Sequence, residues 1–419
     1  MNEGVLAKDR RSRSGGVNAP ADWVVAVAAA VVTRVAVFAA AGAWARYLHY
    51  RGHHATVEAG LRGILLRPWD HRDSVWFIRI AASGYSAAQP DRSAFFPLYP
   101  LLIRVLGAPA GHRYQIAGMV LSLVAYGLAM LVLYRLTATL TDTRTAAITV
   151  VLISVFPTAV VFNAVYSESL FLLLTVTCLW LAWDRRWALA VIAWLLATLT
   201  RSSGILLLPP LLMLYAQQRG WTWRSIRLAW PRDLRLAWTA MIPLGLIAYM
   251  SYLWVRFGDP RLFSEAELTH WRRALAWPWV DLWRGLHASV AAVHGLAVHH
   301  TGFRHWLLPG GRVGLRIVPT VFPLLALGFA GFAIALGWRR LPPAFTLFAL
   351  LSVLFPLLFP SQLYPLWSVP RFVMVTFPLF IAWGIALKSR PAWRWSLIGL
   401  SFVVMLWLTG AFAIGTNAV

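Results

Sequence analysis

The strongest constraint on this chain is a series of apolar runs, most of them near the roughly 20 residues that a helix needs to cross a bilayer. Eleven are bounded by charge or proline, at about residues 22–47, 115–136, 145–164, 168–184, 187–201, 203–217, 236–256, 316–337, 343–360, 370–388 and 394–415. Lipid accepts apolar side chains on every face of a helix, whereas a soluble domain has only its core to hide them in. Hydrophobic residues make up 59% of the chain and charged ones 13%, about half the charged share of a soluble domain. The expectation is an all-α, polytopic transmembrane helical bundle. It divides into a basic tail over residues 1–20 and one continuous domain over 21–419.

A net charge of +23 is compatible with nucleic-acid binding. The arginines, however, are scattered between apolar runs and form no soluble basic module, so nucleic acid is not an expected partner. Short-loop basic residues set orientation instead. Lys8, Arg10, Arg11 and Arg13 place the N-terminus in the cytoplasm, and Arg185-Arg186, Arg219 to Arg235, Arg339-Arg340 and Lys388 follow on the same side. Two long outer loops result, 48–114 and about 256–316, although the first is itself rich in arginine. In the second, Trp271, Trp277, Trp279, Trp283 and Trp306 suit helices lying in the membrane interface. Cys178 is the only cysteine, so no intramolecular disulfide forms.

Acids are scarce, 15 in all, and two of them, Asp70 and Asp73, stand three residues apart in the first outer loop. On a helix that spacing would put both on one face. An aspartate beside the membrane surface and flanked by aromatics suits a general base. On spacing alone the plainer reading is favoured, namely solvated loop acids paired with Arg72 or Arg79. Tyr99 lies in Phe95-Phe96-Pro97-Leu98-Tyr99-Pro100, where two prolines fit a kinked segment packed back on the bundle. Glu168, after Tyr166-Ser167, opens a span either as a substrate contact or as a capping-box-like helix start. Arg201 and Arg371 sit at the edges of apolar runs. A cation at such depth has a partner or a task, and an anionic lipid headgroup, an internal acid and snorkelling all fit. The second loop holds His270, His287, His294, His299, His300 and His305, but no tight pair with a nearby acid, so no metal site is expected.

These segments resemble, in order, the signatures of the PIG-V mannosyltransferase family. Asp73-Ser74-Val75-Trp76-Phe77 with Gly84-Tyr85 is similar to its first-loop motif, and Phe95-Phe96-Pro97-Leu98-Tyr99-Pro100 follows. Tyr166-Ser167-Glu168-Ser169, Thr200-Arg201-Ser202-Ser203-Gly204 and Pro370-Arg371-Phe372 continue the series. The resemblance implies a GT-C-like fold and an inverting transfer of a mannosyl-type sugar on the outer face. The donor would be a polyprenyl-phosphate sugar, a co-substrate and not a cofactor, and the acceptor a lipid, glycan or protein hydroxyl. It gives Asp73 the role of base, with Asp70 as the alternative, because the family has Trp directly before its Asp and here Trp69 precedes Asp70 while Arg72 precedes Asp73. Arg201 and Arg371 become the donor-phosphate ligands. Tyr99, Tyr166, Glu168 and Trp271 are further substrate-site candidates. Where relatives carry Gln before Trp-Gly-Arg, this chain has Glu267 before Trp271-Arg272-Arg273. The location implied is the bacterial plasma membrane. A secondary transporter and a non-catalytic envelope-assembly protein remain as alternatives, although no internal repeat of a transporter kind is evident.

Overall fold

The computed structural model describes residues 20–50, 63, 65–220, 244–298, 318–413 and 415. The basic tail up to residue 19, the expected cytoplasmic stretch 221–235, and Arg51, Arg62, His299, His300, His305 and Trp306 lie outside the described residues. Among the described residues the structure is helical, with two isolated β-bridges and no strand.

The helices in chain order are α1 Pro20–Tyr50, α2 Asp73–Ser83, α3 Leu98–Gly107, α4 Tyr114–Leu140, α5 Thr143–Ser154, α6 Glu168–Trp183, α7 Trp187–Thr200, α8 Leu208–Gln218, α9 Leu244–Phe257, α10 Leu262–Thr269, α11 Pro278–Val298, α12 Val318–Gly337, α13 Pro343–Leu358, α14 Val369–Val375, α15 Phe377–Leu387 and α16 Pro391–Ala413. Short 3-10 turns at Arg67–Trp69, Pro90–Ala94, Pro157–Asn163 and Ser202–Leu207 join them. α1, α4, α12 and α16 are each long and apolar enough to span a bilayer, and two bent helix pairs raise the number to six. α6, α7, α9 and α13 are apolar but shorter, and the expected run 203–217 is a 3-10 turn followed by α8. Each of the eleven runs therefore contains helix, while four reach bilayer length among the described residues, or six if each bent pair is one span. The chain is an integral membrane protein by this architecture.

The two bent pairs have a common cause. α5 and the turn Pro157–Asn163 meet at 80°, and α14 and α15 at 69°. Proline pushes the residue before it out of the helical region, and Phe156 accordingly has ψ 138° ahead of Pro157. At the second bend Pro378, in the first turn of α15, has no N–H with which to continue α14, and the break falls at Thr376, whose ψ is 72°. Each bend starts a new helix inside the bundle instead of at its rim.

Bending frees backbone carbonyls that lipid cannot satisfy. Arg34, the only charge between Trp23 and Ala45, supplies the donors. Its side chain is buried and bonds the carbonyls of Ser154 (2.8 Å) and Ala159 and the side-chain oxygen of Asn163 (2.8 Å). The amide nitrogen of Asn163 donates back to the Arg34 carbonyl at 3.2 Å. The guanidinium also lies over the Tyr126 ring, 4.8 Å from its centre.

The bundle core runs through α4, α5, α6, α14 and α15, with α1 and α16 packed on one flank. α3 lies back against α4, as the double-proline segment suggested, and α10 packs on the turn Pro90–Ala94. Replacing Arg34 with Leu strands three acceptors at the α5 bend, at about 1–3 kcal/mol for each buried group left unpaired. A lower thermal unfolding midpoint in detergent, partly restored by Arg34→Lys, is the expected result.

Candidate functional site

Four helix ends meet at one buried carboxylate. Glu168 is the first residue of α6, where backbone N–H groups without helical partners favour an anion. It is fully buried. Its Oε1 accepts from Arg201 Nη1 at 2.8 Å and from Arg371 Nε at 2.8 Å, and Arg371 Nη2 bonds it as well. Arg371 Nη2 also reaches Asp73 Oδ2 at 2.7 Å, at the first turn of α2. The Arg371 guanidinium stands over the Tyr166 ring, 4.8 Å from its centre, and the Arg201 guanidinium over that of Phe372 at 5.4 Å. Asp73, Glu168, Arg201 and Arg371 thus form one network drawn from α2, α6, α7 and α14.

Local sequence explains each position. Arg201 is the extended residue that ends α7. The following 3-10 turn folds so closely onto α7 that a Cβ on Gly204 would lie 2.7 Å from the Thr198 nitrogen, and Trp194 Nε1 bonds the Gly204 carbonyl at 2.8 Å. Arg371 follows Pro370 in the first turn of α14, after Ser368 in the left-handed region (φ 69°). The expected capping box at Glu168 is not formed: Ser167 makes no side-chain cap, and its hydroxyl instead accepts from Arg201 at 3.3 Å.

The two aspartates do not share a helix face, contrary to the spacing argument. Asp70 caps the 3-10 turn Arg67–Trp69, is exposed, and makes no ion pair among the described residues. Arg72, at φ 56°, turns the chain between them, so the helix begins only at Asp73. The plainer reading is also corrected. Asp73 pairs with Arg371 from far along the chain, while Arg72 donates to the Gly415 carbonyl (3.1 Å) and exposed Arg79 lies against the Trp76 ring.

The remaining candidates separate. Tyr99 is fully buried in the core and its hydroxyl bonds Ser122 at 2.6 Å. Tyr166 is buried beneath Arg371, with an enclosed hydroxyl that has no hydrogen-bond partner. Trp271 is half-buried and packs edge-on against Trp76 and Phe95, at 6.2 and 5.5 Å between ring centres. His270 pairs with Asp91 at 3.1 Å, and His287 packs on the exposed Trp283. Among the described residues no three His, Cys, Asp or Glu side chains converge as metal ligands.

Sequence reasoning gave little weight to a second charged layer. Glu267 on α10 pairs with Arg273 at 3.5 Å, and Arg273 donates to the Ser368 hydroxyl at 3.3 Å. The Glu267 side chain keeps 42% of its surface, yet Oε2 itself is closed off and lacks a hydrogen-bond partner. The enclosure of that oxygen governs its titration. Burial pushes the Glu267 carboxyl up, Arg273 and Arg201 draw it back, and Asp73 adds to the rise. The only signal for it was its place ahead of Trp271.

The segment before α14 is held from below by α11. Asp281 is buried and accepts from the Leu366 nitrogen at 3.0 Å, and Arg284 donates to the carbonyls of Ser361 and Gln362. Between this segment and the start of α12 lies a small, partly open apolar cleft, lined by Phe322, Pro323, Tyr364, Leu366 and, at one wall, Arg371.

The family model "Mannosyltransferase (PIG-V)" matches residues 53–250. Over those residues the chain is PIG-V-like. Asp73, Glu168 and Arg201 of the network lie inside the matched stretch and Arg371 lies beyond it. The match supports a membrane glycosyltransferase. Among curated proteins none matches. Solved structures of an oligosaccharyltransferase from Archaeoglobus fulgidus are loosely similar in shape. Its apo form has 12% identity and TM-score 0.41, over 91% of this chain and 56% of that one. A form tethered with an acceptor peptide containing the NVT sequon has 13% identity and TM-score 0.42, over 92% and 55%. A complex with an inhibitory peptide and a dolichol-phosphate has 14% identity and TM-score 0.40, over 92% and 56%. The chain spans about half the length of these proteins.

Two consequences follow for the network. Glu168→Gln leaves two partly buried guanidiniums without their shared charge, a loss of up to about 3–5 kcal/mol that unfolding in detergent would register. Glu267 titrates above the ordinary carboxylate range in the native state, so its contribution to stability is complete below that range and is lost as pH rises through the raised value. Glu267→Gln, an imitation of the protonated form, flattens this decline in a series of unfolding midpoints against pH.

Proposed function

We propose that this protein is a GT-C-like glycosyltransferase that moves a mannosyl-type sugar from a polyprenyl-phosphate donor to an acceptor hydroxyl. The observation that carries this reading is Asp73, placed at the start of α2 within the PIG-V-like stretch and bonded to Arg371, which also walls an apolar cleft. A lipid-phosphate donor is amphipathic and calls for that juxtaposition: an apolar groove for its chain, cations for its phosphate, and a carboxylate for the attacking hydroxyl.

In the proposed step the acceptor oxygen bonds the anomeric carbon and its proton passes to Asp73. The bond from that carbon to the phosphate oxygen breaks, and the electron pair leaves with the polyprenyl phosphate. Attack opposite the leaving group inverts the anomeric centre. Only Oδ2 of Asp73 is bonded among the described residues, so Oδ1 remains for the hydroxyl. Arg371 holds the carboxylate in place and, with Arg201, contributes positive field toward the leaving phosphate. Tyr166 supports Arg371 from beneath, and the Trp271 side faces the acceptor. The donor is a co-substrate, and the step as written uses no metal. The acceptor class is a lipid, a glycan or a protein hydroxyl. Basic short loops argue for a cytoplasmic N-terminus and an outward-facing site on a bacterial plasma membrane.

The test is a membrane assay with labelled polyprenyl-phosphate mannose. Asp73→Asn is expected to lower transfer by about 10²–10⁴-fold, the size of a general-base contribution, while insertion is unaffected. Asp70→Asn keeps most of the transfer. Near-normal activity of the Asp73 variant removes the base assignment.

A further inference from the structure

Charge around Asp73 does not balance. Asp73 and Glu168 are matched by Arg371 and Arg201, and Glu267 by Arg273. Arg72, directly before Asp73, is a cation left over: among the described residues no carboxylate pairs with it. Its side chain is partly buried. One terminal nitrogen donates to a neutral carbonyl, that of Gly415 at 3.1 Å, and Nε is enclosed without a hydrogen-bond partner. The guanidinium lies within electrostatic reach of Tyr166, Arg371 and Tyr364, and the last two line the apolar cleft. Burial works against its charge, Asp73 favours it, and Arg371 opposes it. Arg72 and Arg371 lie within electrostatic reach of each other, and the one without a paired carboxylate adds positive field that an anion would relieve.

The backbone is also unusual. Arg72 has φ 56° and ψ −123°, which is unfavourable for a residue with a Cβ. Such a conformation is strained and persists only where its surroundings hold it. Flanking bonds hold it, from the Ser74 nitrogen to the His71 carbonyl at 3.2 Å and from the Val75 nitrogen to the Arg72 carbonyl at 3.1 Å. Glycine would adopt this geometry freely, yet an arginine stands here beside the carboxylate of the network.

We propose that Arg72 is the direct ligand of the donor phosphate, exchanging its bond to the Gly415 carbonyl for a charge-assisted pair with phosphate oxygens. Arg201 and Arg371 then act mainly through Glu168 and Asp73, as positioning residues. The proposal rests on the glycosyltransferase reading and sharpens it. The chemistry recognised is a sugar phosphoester, and its charge grows at the phosphate oxygen as the bond to the sugar breaks. A planar fork matches phosphate better than a point charge does.

The experiment measures binding of undecaprenyl phosphate, undecaprenol and GDP-mannose to the full-length protein in detergent, for wild type, Arg72→Gln and Arg72→Lys. Gln keeps a Cβ at the strained position and removes only the charge. The expected result is undecaprenyl phosphate binding weakened about 10- to 100-fold in Arg72→Gln, in line with one charged hydrogen-bonded contact, and an intermediate loss in Arg72→Lys. Undecaprenol binding and the ligand-free unfolding midpoint stay at wild-type values, which a purely structural role would not allow. Equal binding of undecaprenyl phosphate by wild type and Arg72→Gln overturns the assignment of Arg72 and leaves the glycosyltransferase reading intact. A parallel loss of undecaprenol binding, or a lowered midpoint, assigns Arg72 to the fold and overturns the proposal. Wild type that binds GDP-mannose and ignores undecaprenyl phosphate overturns both the proposal and the lipid-linked donor.

Discussion

The site depends on one buried carboxylate. Glu168 has no exposed surface, and its Oε1 holds two guanidiniums that come from helices far apart in sequence. A charge withdrawn from water must be compensated on the spot, and a helix N-terminus plus two arginines provides that compensation. Through Arg371 the same carboxylate reaches Asp73. The first loop, the start of α6, the end of α7 and the start of α14 are therefore held in register by a single set of ion pairs. None of the four ends can shift without leaving a charge unpaired.

That arrangement needs helix ends inside the bundle, and prolines supply them. Pro157 breaks the span that begins with α5, and the chain then runs through Asn163 to Glu168. Arg34 compensates the exposed carbonyls from a neighbouring helix. The second break, before Pro378, keeps α14 short, so that Arg371 lies beside Glu168 instead of at a distant rim. Irregular backbone at depth is tolerated where protein groups satisfy it, and both bends occur within the packed core.

The second loop closes the arrangement from the other side. α10 rests on the turn Pro90–Ala94, His270 pairs with Asp91, and Trp271 packs against Trp76 and Phe95. Arg273 joins this loop to Ser368 at the entrance to α14. Both loops thus bear on the same short helix, and α11 fixes the segment that leads into it through Asp281 and Leu366.

The sequence by itself carried the apolar periods, the scarcity of acids and the ordered motifs around Asp73, Glu168, Arg201 and Arg371. Those suffice for a polytopic helical protein and for naming the four residues, because each depends on local composition or on a short run of residues. Pairing was not legible. Arg201 and Arg371 read equally well as phosphate ligands, partners of internal acids or snorkelling cations, since ion pairs between residues 168 and 371 leave no mark on spacing. Span lengths were only partly legible, because hydropathy continues unchanged across the proline bends. Asp70 and Asp73 looked like companions on one face until the positive φ of Arg72 separated them. The tertiary structure decided which charges neutralise one another and which one is left over, because electrostatic energy depends on distance in space and burial, and neither is written along the chain.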